Sequence, residues 1–192
     1  MEGTEIDMFF RPWLALSAYA SRDLETARVT AAEIVRIGRR RGSRWDESIG
    51  AWLLGGLAHG QGCHDDSRAH LEASRALSSD PRLPWSLGRS LLGLAELAKE
   101  EDFEDAWKLA REGLEVLDDY GDRIGAAAAL ETIADLAVAL GEPERALRLL
   151  AASQRFHTDT GIARLPVQAD RFDRARSTAR AALGPTDATA CW

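Results

Sequence analysis

The stretch DFEDA, Asp102 to Ala106, opens a run of helical periodicity, and close copies stand at Asp23–Ala27 (DLETA), Asp65–Ala69 (DDSRA) and Glu142–Ala146 (EPERA). Each puts an acidic residue where a helix would start and a small alanine shortly after it. The acidic side chain accepts from free backbone N–H groups and complements the helix dipole, and the alanine lets one helix approach another closely. The alanines are spaced by 42, 37 and 40 residues. The chain therefore reads as a series of helical hairpins with a period near 40, longer than the roughly 34 residues of the commonest such repeat.

The segments before these openings repeat as well. Leu54-Gly55 lies three residues after Ala51, Leu94-Ala95 three after Leu91, and Ile133-Ala134 three after Leu130, which is the large-x-x-large-small face of the first (A) helix of a hairpin. Trp45 and Trp85 stand in the same register, 40 residues apart. Periodicity near 3.6 runs almost throughout, and no useful stretch alternates with period two. Nine helices and no sheet are predicted, over about 7–20, 23–39, 44–60, 65–78, 84–100, 103–119, 122–140, 143–158 and 167–183.

A hairpin of this size cannot bury both apolar faces alone, so neighbours must stack and the last needs a cap. The expected fold is an all-α, tetratricopeptide-like α-solenoid, a single helical-repeat domain over residues 1–192. Its hairpins span about 7–39, 44–78, 84–119 and 122–158, followed by a capping helix over about 167–183 and a tail, 184–192. Phe172, Ala175, Ala179 and Ala182 form the cap's apolar stripe, with Arg174, Arg176 and Arg180 to one side.

With 45% hydrophobic residues in 192, the chain has ample material for a core, and its net charge of −7 argues against phosphate backbones as direct partners. Cys63 and Cys191 are too few for a disulfide framework and fit a reducing cytosol. Met1 to Asp7 lacks the basic and apolar segments of a secretion signal, and no apolar run is long enough for a membrane span. A cytoplasmic location is expected.

From Trp85 onward the chain resembles the C-terminal tetratricopeptide region of LuxR- and AfsR-like bacterial transcriptional regulators. The resemblance is carried by Trp85–Ala95 (WSLGRSLLGLA), Gly121–Gly125 (GDRIG), Gly141–Ser153 (GEPERALRLLAAS) and Ala175–Gly184 (ARSTARAALG), and is weaker from Trp13 to Leu77. It implies a sensing and interaction arm that helps to restrain or assemble a STAND-type ATPase joined to a DNA-binding domain. The phosphate-cradling G-x-x-x-x-G-K-[ST] loop of such an ATPase is missing from this chain, and no basic helix-turn-helix segment is evident.

Candidate sites are few. Repeat register places Tyr19, Trp52, His59, Arg89, Glu96, Lys99, Glu131 and Asp135 on the inner face of the stacked A helices, a surface suited to a protein or peptide partner. Trp52 and Tyr19 would also serve a small-molecule sensor, and the end hairpins could stack on a second copy. Trp45, Trp85 and Trp107 read as packing residues. His59, Cys63, His64 and His70 are the one metal-capable cluster, but their spacing matches no standard zinc site, so neither metal nor cofactor is expected. Ser153 and His157 fall one helical turn apart without a third member or an oxyanion site, so no enzymatic activity is expected.

Overall fold

Asp23, Ser43, Asp102 and Asp122 each accept a hydrogen bond from the backbone N–H three residues on, at 2.8 to 3.3 Å, and so fix four helix starts. Pro84 and Pro143 fix two more, since proline at the first helical position lacks only an N–H that would be unpaired there. The computed structural model describes residues 5–79, 83–164 and 166–183. Within them run α1 (Glu5–Ala20), α2 (Leu24–Arg41), α3 (Arg44–Gly60), α4 (His64–Leu77), α5 (Pro84–Ala98), α6 (Phe103–Tyr120), α7 (Arg123–Ala139), α8 (Pro143–Thr160) and α9 (Pro166–Leu183). Every regular element described is an α-helix, as the periodicity predicts. The tail 184–192, with Cys191, lies outside the described residues. No described helix is long and apolar enough to cross a membrane.

Consecutive helices pair into hairpins, and the A helices α1, α3, α5, α7 and α9 also touch along the array. Small residues mark where the A and B helices of a hairpin meet. On the A side these are Ala15, Gly55, Ala95 and Ala134, and on the B side Ala27, Ser67, Ala106 and Ala146, all buried. A Cβ added at Gly55 would come within 2.7 Å of Leu71 Cγ. Leu71 leans there because both Gly55 and Gly93 leave room for it.

The B-side row corrects the repeat pattern drawn from sequence. Ala69 is exposed and is not the recurring small residue, because α4 begins at His64 after the N-cap Cys63. Its Asp65-Asp66 pair lies inside the first turn, not at the cap. Ser67 takes the buried place and donates from Oγ to the Gly55 carbonyl at 2.8 Å. With Ser67 in the row the spacings become 40, 39 and 40, so the period is nearly constant.

Between the second and third hairpins lies a buried serine cluster that patterning does not foreshadow. Ser48 Oγ and Ser86 Oγ are 2.9 Å apart, Ser74 Oγ donates to the Ser48 carbonyl at 2.8 Å, and Ser90 Oγ lies 2.8 Å from Ser74 Oγ. Hydroxyls of this size satisfy one another without opening the tight contact of α3, α4 and α5.

α9 packs as the A helix of a fifth unit. Phe172, Ala175 and Ala179 sit on Ala134, Ala137, Leu147 and Leu150 of the last hairpin. Its opposite side turns towards the start of the chain, and Asp170 comes within 3.7 Å of Arg22 in the α1–α2 turn. The array thus curls far enough for its last helix to face its first.

Candidate functional site

The curl leaves a half-open cavity of about 220 Å³ on the inner side of the A helices. Leu16, Trp52, Leu53, Leu57 and Leu92 supply apolar walls, and Tyr19, His59, Arg89, Glu96 and Thr132 supply polar groups. α9 closes the far side with Gln168, Arg171 and Arg174. A second, more polar hollow shares His59, Glu96 and Arg171 with the first and adds His64, Lys99 and Asp135.

Of the eight residues that repeat register assigns to the inner face, seven therefore line these two hollows. Glu131 does not. It occupies the same register as Trp52 and Leu92, but it is only 2% exposed because α8 and the segment after it cover it. Its Oε1 accepts from Ser153 Oγ at 2.6 Å and from Arg164 Nε at 2.6 Å, and His157 Nε2 lies 3.7 Å away. Arg164 also donates to Ser153 Oγ at 3.1 Å and to Gln154 Oε1 at 2.9 Å, while its guanidinium carbon lies 3.8 Å from the centre of the Phe172 ring. Ser153 and His157 thus both face Glu131, and His157 Nδ1 is 2.7 Å from the Ile162 carbonyl. That network ties residues 161–164, and through Phe172 the base of α9, to the last hairpin.

Trp52 and Trp45 depart from their sequence roles. Trp52 lines the cavity yet also stands edge-on to Trp85 at 5.2 Å, so it belongs to the packing as well. Trp45 is 40% exposed although it holds the same register as Trp85, whose ring is 6.1 Å away. Trp107 keeps its packing role, half-buried against the core beneath the Arg145 guanidinium at 4.5 Å.

Charges on the inner face are largely paired within the chain. Arg89 donates to Asp122 Oδ2 at 2.9 Å and packs over the Trp85 ring at 5.2 Å. Lys99 pairs with Asp135 at 2.5 Å, Arg171 pairs with Glu96, and Thr132 Oγ1 reaches Glu96 Oε1 at 3.4 Å. Burial, with like charge from His64 and Arg171, holds the His59 imidazole below its ordinary pKa, so it is neutral at pH 7. Burial pulls the Arg171 guanidinium down to about 10, with Arg174 beside it adding to the effect, which leaves it cationic at neutral pH. Burial raises the Tyr19 phenol.

Three nitrogens in this lining are buried without a hydrogen-bond partner: His59 Nδ1, Arg89 Nε and Arg171 Nε. Orphaned polar atoms are uncommon in folded proteins, and three around one cavity set it apart from ordinary packing. The His59 and His64 rings are 5.7 Å apart, but no group of three or more metal-capable side chains gathers among the described residues.

Sequence reasoning missed Gln168, Arg171 and Arg174. The apolar stripe of α9 says which side it buries, whereas the side it offers to the cavity depends on how far the array has curled. No model of a known protein family matches the chain, and no curated protein is significantly similar to it.

Proposed function

We propose that this chain is a protein–protein interaction module without catalytic activity, acting in the bacterial cytoplasm. The resemblance read in its C-terminal half to LuxR- and AfsR-like regulators supports a role as the regulatory arm of such a regulator, or as a partner to its ATPase or DNA-binding part. The observation that carries the interaction role is an exposed stripe on α1. Phe10, Trp13 and Leu14 fall at i, i+3 and i+4 on one helix face and are 59%, 63% and 54% exposed. Each inner A helix of the array packs between two others, whereas α1 packs chiefly on α2 and α3. Large apolar and aromatic side chains gathered on one surface are characteristic of docking sites, and tryptophan is enriched among the residues that dominate binding energy.

The inner face is the poorer candidate for a peptide groove, since α9 spans its far side and a peptide would have to displace internal ion pairs. Affinity capture from native cells tests the choice. A Phe10→Asp/Trp13→Glu bait is expected to lose partners that the wild type retains, while Arg174→Gln keeps them. Loss with Arg174→Gln alone would move the docking surface to the inner face.

A second reading, a small-molecule-sensing repeat domain, is supported by the half-open cavity and its three unpartnered nitrogens. A ligand there would touch α1, α3, α5, α7 and α9 at once, and so would bias the curvature of the array.

A further inference from the structure

We propose that the inner cavity binds a small amphipathic carboxylate, its apolar body against Trp52, Leu53, Leu57 and Leu92 and its carboxylate at the Arg171–Arg174 end. The inference rests on the sensing reading above and names the ligand class for that same cavity.

Charge points first to an anion. The chain carries a net charge of −7, yet this cavity is lined by three arginines, Arg89, Arg171 and Arg174, against one carboxylate, Glu96. His59 is held neutral and adds no charge at pH 7. Arg89 is matched by Asp122 and Arg171 by Glu96, which leaves the surplus on α9. A bound anion would offset the repulsion that Arg174 exerts on Arg171.

Hydrogen bonding points the same way. At the Arg171–Arg174 end, the Arg171 Nε left without a partner is an obligate donor and needs an acceptor. A carboxylate supplies two acceptor oxygens and suits the guanidinium fork.

Size and wall chemistry set the rest. A dry cavity of about 150 Å³ holds benzene, so 220 Å³ corresponds to a body with on the order of ten non-hydrogen atoms. Mostly apolar walls beside Trp52 favour a ligand that carries one charge at one end over a compact phosphate or a sugar. Gly56 makes the cavity testable. A Cβ added there meets nothing within 4 Å, so a larger side chain at this position fills the space without clashing at its root.

The full chain is titrated with phenylacetate and octanoate, and with phenylethanol and phenethylamine as neutral and cationic counterparts, by tryptophan fluorescence and calorimetry. Saturable binding of at least one carboxylate is expected, tenfold or more tighter than either counterpart. Arg174→Gln, an exposed position, should weaken it about tenfold, and Gly56→Leu should abolish it with helicity and Tm retained. Equal binding of the alcohol or the amine would overturn the carboxylate assignment while leaving a ligand cavity in place. Undiminished carboxylate binding by folded Gly56→Leu would place the site elsewhere and overturn the proposal. No saturable response from any of the four probes would overturn it together with the sensing reading.

Discussion

Arg22 has φ 61°, the left-handed region that L-residues enter at a cost, and is the one non-glycine residue there among those described. It stands in the α1–α2 turn where the second and fourth hairpins place Gly62 and Gly141, both also at positive φ. Arg22→Gly should therefore stabilise the chain by roughly 0.5–1 kcal/mol, raising Tm by a few degrees, since relief of strain exceeds the added freedom of the unfolded chain. An unchanged or lower Tm by calorimetry would show that the exposed Arg22–Asp170 pair matters more. His59 predicts a pH effect. It faces Tyr19 on α1, His64 on α4, Glu96 on α5 and Arg171 on α9, and its folded-state pKa lies below its unfolded value of 6.5. The unfolded chain thus binds the proton more readily, so this residue's share of stability is complete above pH 6.5 and is lost as pH falls towards the folded-state pKa. Chemical denaturation of wild type and His59→Gln between pH 7.5 and about 5 should show a shallower decline for the variant. Parallel profiles would remove His59 from the account of the cavity.

At the scale of elements, the helix spans were legible because caps and breaks carry local physics. Asp23 and Asp102 accept the predicted backbone bonds, whereas Glu142 accepts none, and Gly121 and Gly161 close α6 and α8 in the left-handed conformation. The register of α4 was not legible, because its N-cap is Cys63, which makes no side-chain capping bond, while the acidic pair behind it mimics a cap. Nor could periodicity reveal what attaches α9. That attachment runs through Glu131 and Arg164, residues 33 apart, whose pairing depends on the path of the 161–164 segment. Arg164→Ala leaves the Glu131 carboxylate buried without its cation, a change that typically costs about 3–5 kcal/mol. Adding Glu131→Gln should recover a good part of that loss. Hydrogen exchange within 166–183 should rise selectively in the single variant, and uniform exchange across all helices would instead mean that α9 and the last hairpin unfold with the whole array.

For the whole molecule, repeat register brought seven of the eight expected inner-face residues to two adjoining hollows, yet it could not say that the array curls until α9 faces α1. Curvature accumulates from a small rotation at each hairpin interface, and the same small-residue rows admit more than one rotation. That is why Arg171 and Arg174 were not assigned to the inner face, and why that face is a half-open hollow whose charges largely pair with one another. The exposed α1 stripe is then the surface best suited to a protein partner. Photo-cross-linking in native cells from a benzoylphenylalanine at position 13 tests this most directly, with the same residue at position 104, exposed at the start of α6, as the control. The prediction is a discrete adduct with a different protein from position 13 and none from 104; no adduct from 13, the same adduct from both, or an adduct with a second copy of the chain would contradict it.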